Sequence, residues 1–115
     1  MSTNCTYLNA LGAEGEADGQ LVSLESLDVD SEGNVYVADY GNDRIQKFDN
    51  DGNFITKWGA PGEAVGQFDG PTALGVDLND NKYVTDTNNH RIQKFSDNGA
   101  FILDSVVRES AMGNL

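Results

Sequence analysis

Two pairs of oppositely charged residues are spaced alike along the chain and could act together chemically. Asp39 stands five residues before Arg44, and Asp86 stands five residues before Arg91. A carboxylate beside a guanidinium forms a strong ion pair, which can either bind a charged ligand or fasten a turn. Because the two pairs lie in the same sequence context, we interpret both as structural clasps that flank a hairpin.

The single histidine and the single cysteine do not form a catalytic or metal-binding pattern. His90 lies in a loop, and one histidine with one distant cysteine, Cys5, cannot supply the ligands that zinc needs. The acidic turns at 28–33, 49–52 and 77–81 lack the ligand spacing of a calcium-binding EF-hand, so turn formation explains them. The chain also lacks nucleophile-elbow, P-loop and dinucleotide-binding motifs. The sequence therefore predicts no enzymatic activity and no cofactor.

The amino-acid composition limits the classes of partner that this chain can bind. The chain has 115 residues with 19 acidic and 7 basic side chains, which gives a net charge of −12. Such a surface repels phosphate backbones, so we expect no nucleic-acid partner. No apolar run is long enough to cross a bilayer, and the N-terminus lacks the features of a signal peptide. We therefore expect no membrane association and a cytoplasmic or virion-associated protein.

The elements that must position these residues are repeated. When the chain is shifted by 47 residues, segment 12–55 aligns without a gap on segment 59–102, with 23 identities in 44 pairs. Each period holds four short runs with strand-like alternation, separated by turns rich in Asn, Asp and Gly. The runs are 27–30, 35–38, 44–48 and 54–58, and then 74–77, 82–85, 91–95 and 101–106. Four-stranded antiparallel units at this period are typical of β-propeller blades, so the predicted class is all-β with two blades.

The repeated residues resemble a known family, the NHL repeat. The second copy shows the pattern best, with Gly66-Gln-Phe68, Val76-Asp77 and the segment 89–95, which reads Asn-His-Arg-Ile-Gln-Lys-Phe. The first copy departs from it at Leu24, which replaces a proline, and the second at 105–106, which replaces Trp-Gly. The resemblance implies propeller blades, usually six to a ring, that act as a platform for binding.

We interpret the chain as one two-bladed unit. It comprises an outer-strand segment at 5–12, a first repeat at 13–59, a second repeat at 60–106 and a tail in linker register at 107–115. Two blades leave two apolar faces uncovered, and three chains would close six blades. We therefore predict a homotrimer with a heterologous interface. Segments 7–11 and 101–107 compete for the outer-strand position of the shared blade, and the sequence does not decide between them.

Function is predicted from the loops on one side of the ring. The predicted ligand-binding residues are Tyr40, Asn42, Asp43, Asn88, Asn89 and His90. Their chemistry suits a small polar ligand, a glycan or a basic peptide. In a closed ring Asp28 could also line a central channel and hold a cation or an ordered water. The alternatives are a purely structural or virion-type propeller without a small ligand, and a lyase-like or hydrolase-like propeller enzyme.

Overall fold

A computed structural model describes the backbone of residues 13–106 and the side chains of residues 14–104. Ten strands occur in this part of the chain. They are β1 Ala13–Glu14, β2 Gln20–Leu21, β3 Leu24–Val29, β4 Val35–Asp39, β5 Arg44–Phe48, β6 Phe54–Trp58, β7 Pro71–Val76, β8 Lys82–Asp86, β9 Arg91–Phe95 and β10 Phe101–Val106. Two single-turn 3₁₀ helices, Tyr40–Asn42 and Thr87–Asn89, connect β4 to β5 and β8 to β9.

The strands form two four-stranded antiparallel sheets, which confirms the all-β prediction. Blade 1 has the order β3-β4-β5-β6, and blade 2 has the order β7-β8-β9-β10. Residues of alternating polarity, joined by tight turns with left-handed glycines such as Gly33 and Gly52, explain why each segment folds as a meander. The first strand of each blade begins three residues earlier than the sequence pattern indicates, because Leu24 and Pro71 pair with Asp39 and Asp86 beyond an irregularity in register.

The fourth strand of blade 2 comes from the end of the described chain. Phe101–Val106 pairs antiparallel with Arg91–Phe95, from Phe101 opposite Phe95 to Val106 opposite Arg91. It therefore occupies the outer position that the sequence assigned to either of two segments. The other candidate, 7–11, lies outside the described residues, as does the predicted tail at 107–115.

The segment that leads into each blade folds in the same way in both repeats. Ala13 and Glu14 pair in parallel with Gln20 and Leu21. A single parallel bridge joins Pro61 to Phe68, which are the counterparts of Glu14 and Leu21. Each linker is therefore a small folded loop that belongs to its repeat.

The two blades stack face to face, and the main hydrophobic cluster fills the contact between them. We call the blade 1 surface that carries Tyr36, Ala38 and Ile45 its front face, and these side chains are fully buried. They pack against the back face of blade 2, which carries Leu74, Val84 and Phe95, with Phe68 and Trp58 at the edge. We call this contact the inner joint. Between the edges of the first strands, Asp28 and Ser26 accept hydrogen bonds from the N–H groups of Val76 and Leu74.

Candidate functional site

The Asp39–Arg44 pair fastens the hairpin between β4 and β5 to the linker before blade 1. Arg44 Nε donates to Asp39 Oδ2 at 2.8 Å, and the other carboxylate oxygen accepts from the Val22 N–H at 2.7 Å. The guanidinium nitrogens also donate to backbone carbonyls of the linker, at residues 16, 17 and 20. Asp39 is fully buried, and the ion pair with Arg44 together with these hydrogen bonds compensates its charge.

Blade 2 repeats this clasp almost atom for atom. Arg91 Nε donates to Asp86 Oδ2 at 2.8 Å, and Asp86 Oδ1 accepts from the Asp69 N–H at 2.7 Å. The Arg91 guanidinium also donates to the carbonyls of Ala64 and Gln67. Since the donors and acceptors of both clasps are used to hold chain segments, the geometry is that of a fastening.

Sequence reasoning missed one member of each clasp, a glutamine. Gln46 Nε2 donates to the Gln20 carbonyl at 2.6 Å, and its Oε1 accepts from the Gly19 N–H at 2.9 Å. Gln93 makes the equivalent bonds to Gln67 and Gly66. Both glutamines are fully buried. Their recurrence in the Arg-Ile-Gln-Lys-Phe segment of both repeats was the available signal.

The six predicted loop residues divide into two groups. Asn42 and Asn89 turn inward: their side-chain amides donate to the carbonyls of Gly15 and Gly62 and to the clasp aspartates. These two amides are therefore already occupied by the fold. The other four are Tyr40, Asp43, Asn88 and His90, and they lie at the loop edge of the blades.

Tyr40 and Asn88 come together at the loop edge of the inner joint, around Gly70. A Cβ atom at Gly70 would lie 2.9 Å from Asn88 Nδ2 and 3.1 Å from Tyr40 Cε2. Asn88 also donates to Asp69 Oδ1 at 3.0 Å, and Asp43 Oδ1 accepts from the Gly70 N–H at 2.8 Å. Exposed aromatic, amide and carboxylate groups thus share one patch, which we call the loop patch. His90, which stands on blade 2 at the position equivalent to Asp43, is exposed.

A cavity of about 330 Å³ opens beside the first clasp. It is lined by Glu16, Gly41, Asn42, Arg44 and Pro61. The side chains of Asn42 and Arg44 on its wall are those already bonded to Asp39 and to the linker. The remaining charged side chain on its wall is that of Glu16, a carboxylate.

The Asp28 carboxylate accepts hydrogen bonds from backbone N–H groups of both blades. Its Oδ1 accepts from its neighbour, the Val29 N–H, at 2.8 Å, and its Oδ2 accepts from the Val76 N–H of blade 2 at 2.9 Å. Within residues 13–106 no group of three or more His, Cys, Asp or Glu side chains is arranged to hold a metal ion.

At the turn edge of the inner joint, opposite the loop patch, polar groups link the blades. Ser31 donates from both its N–H and its hydroxyl to Asp80, at 2.9 and 2.6 Å. Lys82 is fully buried: its Nζ donates to the carbonyls of Asp80 and Asp97 at 2.7 Å and lies 4.2 Å from the centre of the Tyr36 ring. A lysine in the interior is stable only when its charge is compensated in this way.

Tyr36 and Asp30 complete this edge. Burial, followed by its hydrogen bond to Asp30, raises the pKa of the Tyr36 hydroxyl far above its usual range. Burial acts to raise the pKa of Asp30 as well, but hydrogen bonds from Asn34, Tyr36 and Glu32 outweigh it and hold that pKa below its usual range. The pair is therefore a phenol that donates to a carboxylate, with both groups fixed in one state at neutral pH.

The opposite face of each blade is less covered than its counterpart in the inner joint. On the front face of blade 2, Tyr83 and Ile92 are 36% and 38% exposed, whereas Tyr36 and Ile45 at the same repeat positions are 0% exposed. On the back face of blade 1, Leu27 is 54% exposed, whereas its counterpart Leu74 is 8% exposed. This back face is only partly open, since Val37 and Phe48 are buried.

Comparisons with known proteins agree with this architecture. Residues 21–48 and 68–95 each match the NHL repeat. Protein lin-41 of Caenorhabditis elegans is 52% identical over 46 residues, which are 40% of this chain and 4% of that protein. The chain thus spans a small fraction of this relative.

Solved structures share the fold at low sequence identity. The streptogramin B lyase structure superposes with a TM-score of 0.60 and 24% identity, over 75% of this chain and 27% of that one. The structure of a protein from Bacteroides fragilis superposes with a TM-score of 0.68 and 15% identity, over 85% of this chain and 28% of that one. Within residues 13–106 no helix has the length and apolar character needed to span a membrane.

Proposed function

From the premise that this chain carries two tandem NHL repeats, we propose that it is a non-enzymatic binding and scaffold module built by head-to-tail association of its blade pairs. In this arrangement the front face of blade 2 docks on the back face of blade 1 of the next copy. Three copies would place six blades in a ring. The observation that carries the proposal is the exposure of Tyr83, Ile92 and Leu27, whose counterparts are buried in the inner joint.

Apolar burial supplies the driving force. Tyr83, Ile92 and Leu27 are large apolar side chains on sheet faces whose counterparts already form a packed contact. Removing such surface from water is worth about 25 cal/mol per Å². A second copy presents the same pair of complementary faces, so each contact uses the packing that the inner joint already displays.

Side-chain sizes at the two joints also compensate. In the inner joint Gly70 lies against Tyr40 and Asn88, where a Cβ atom would be crowded. Between copies the residue that corresponds to Gly70 is Ser23. It would lie against Thr87 of the neighbouring copy, which corresponds to Tyr40, and against Gly41 of its own copy, which corresponds to Asn88. Thr87 and Gly41 are smaller than the residues they replace. Ser23 has φ 65 and Gly70 has φ 73, so the two positions share one backbone conformation. A larger residue on one side is thus matched by smaller residues on the other.

An assembly experiment with two variants tests the docking mode. Leu27→Asp damages the back face of blade 1, and Ile92→Asp damages the front face of blade 2. For the unaltered chain we expect sedimentation to give a mass near three times the 12.4 kDa of one chain. Each variant alone should sediment as a monomer. An equimolar mixture should form a species of two chains, because one intact front face then meets one intact back face.

The control is Val65→Asp, which places an acid on an exposed apolar residue of the linker rather than on a blade face. It should assemble like the unaltered chain. A folded, monomeric unaltered chain would overturn the proposal, and so would a mixture of the two variants that stays monomeric.

The binding role falls to the loop patch, which assembly would present several times on one side of the ring. Tyr40 and Asn88 offer an aromatic face and an amide, and the chain's charge of −12 favours cationic ligands. We expect the Tyr40→Ala, Asn88→Ala double variant to lose binding to an array of basic peptides and glycans. The control is Asn50→Ala, in the β5–β6 turn at the other edge. No binding by the unaltered chain would leave a scaffold without a small ligand.

A further inference from the structure

One polar contact of the inner joint has a chemically different counterpart at the joint between copies. In the inner joint Asp43 Oδ1 accepts a hydrogen bond from the Gly70 N–H at 2.8 Å. The residues at the corresponding positions are His90 on blade 2 and Ser23 before blade 1. In the arrangement of the proposed function, on which this inference rests, His90 of one copy faces Ser23 of the next.

Backbone geometry places the two acceptors alike. Asp43 has φ 53 and ψ 50, and His90 has φ 55 and ψ 46, so both are left-handed residues that end a 3₁₀ helix. In imidazole the Nδ1 atom is bonded to Cγ, as Oδ1 is in a carboxylate. With similar side-chain torsions, Nδ1 of His90 therefore falls where Oδ1 of Asp43 lies.

We propose that His90 Nδ1 accepts a hydrogen bond from the Ser23 N–H of the next copy, and that this contact makes association dependent on pH. A neutral imidazole has one nitrogen that accepts, whereas an imidazolium donates from both nitrogens. Protonated His90 would turn an N–H group toward the Ser23 N–H. The contact between copies is therefore favourable above the pH range in which histidines titrate and is lost below it.

Histidine is the side-chain type at this place that changes charge near neutral pH. The residues around Gly70 are Tyr40, Asn88 and Asp69, and their counterparts between copies are Thr87, Gly41 and Val22, which do not titrate. Charged groups beside these loops are the Asp86–Arg91 clasp on the same copy and the Asp39–Arg44 clasp on the next. Glu63 on the same copy, and Glu14 and Glu16 on the next, lie in the linkers that lead into the blades. Carboxylates and guanidinium groups ordinarily keep their charge between about pH 7.5 and 5.5.

Sedimentation of the full chain at about pH 7.5 and about pH 5.5 tests the inference. We expect the dissociation constant of the unaltered assembly to rise about tenfold per joint at the lower pH. His90→Asn keeps an acceptor at the same position, tolerates the left-handed backbone and does not titrate, so its association should be the same at both pH values. His90→Ala should associate weakly at both.

The outcomes separate this inference from the proposed function. If the unaltered chain and His90→Asn assemble equally and respond equally to pH, the histidine contact is wrong and the head-to-tail arrangement stands. If the unaltered chain does not assemble at about pH 7.5, both proposals fail.

Discussion

Blade 1 and blade 2 have the same strands, the same turns and the same clasp, yet they bury opposite faces. Tyr36 and Tyr83 stand at equivalent positions, and one is inside the molecule while the other is on its surface. The side chains that build a blade internally, such as Asp39 and Asp86, are identical. Val35 and Lys82 differ, and they lie on the face where a blade meets a neighbour. Identical residues such as Tyr36 and Tyr83 therefore differ in burial because of the blade's place in the chain, and substitutions such as Val35 to Lys82 change the chemistry of one face.

The inner joint and the open faces differ in polarity as well. The inner joint contains the Ser31–Asp80 hydrogen bonds, the buried Lys82 and the Asp28 carboxylate. The corresponding places on the open faces are occupied by Leu78 with Gly33, by Val35, and by Gly75. The inner joint therefore carries polar groups that fix its geometry, whereas the open faces are apolar or lack a side chain at the same positions.

The largest expected effect comes from truncating the equivalent tyrosines. Tyr36→Ala removes a fully buried ring and leaves Asp30 and Lys82 with one partner fewer, so we expect the free energy of unfolding to fall by about 3–5 kcal/mol. Tyr83→Ala should change the unfolding of dilute chains by less than about 1 kcal/mol. Chemical denaturation measures both. Equal losses would mean that the two faces are not distinct.

An intermediate effect is expected from the buried lysine. Lys82→Val installs the residue of the equivalent position and removes the donor to the Asp80 and Asp97 carbonyl groups and to the Asp97 carboxylate, which should cost about 2–3 kcal/mol. The matched control is Lys47→Val, because Lys47 Nζ also lies over the Tyr36 ring, at 5.3 Å, but is only partly buried. That control should cost less than about 1 kcal/mol. If both variants lose the same stability, the cation–π contact dominates rather than the carbonyl groups.

The smallest expected effect is a loss of folding stability in acid, which should arise in both blades. The hydrogen bond from the Asn81 N–H outweighs desolvation and lowers the pKa of Asp77, and the hydrogen bond from the Tyr83 hydroxyl lowers it further. The pKa of Asp30 is also lowered. A carboxyl whose pKa is lower when folded stabilises the protein above its unfolded value, about pH 4, and this contribution is lost as the pH falls through the folded value.

Unfolding of Asp30→Asn and Asp77→Asn across this range checks the expectation. Each variant should have a lower free energy of unfolding than the unaltered chain. This difference should be largest at neutral pH and should shrink in acid. A deficit that stays constant with pH would show that the turns depend on shape alone.

The sequence predicted the features whose causes are local or repeated. Two blades follow from the 47-residue period, and the hairpins follow from turn chemistry at positions such as Gly33 and Gly52. The clasp glutamines, Gln46 and Gln93, were not predicted, because their partners are carbonyl and N–H groups of a linker far away in sequence. Burial of Lys82 was not predictable either, since two turns from different hairpins supply its acceptors.

The loop residues show the same limit. The sequence places Asn42 and Asn89 with Tyr40 and Asn88, because all four lie in loops between the second and third strands of a blade. Only the fold distinguishes amides that bond to the carbonyls of Gly15 and Gly62 from one that lies at the loop patch. Loop membership is a property of the sequence, but the direction of a side chain is a property of the packing around it.

Trp58 gives the molecule its own optical reporter. The sole tryptophan of the chain packs beside Tyr36 and Phe95 in the inner joint, and its indole N–H is buried without a hydrogen-bond partner among the described residues. An indole in such surroundings fluoresces at shorter wavelength than one in water. Its emission wavelength therefore follows separation of the two blades. In the proposed arrangement a second copy would dock on other faces and would leave that wavelength unchanged.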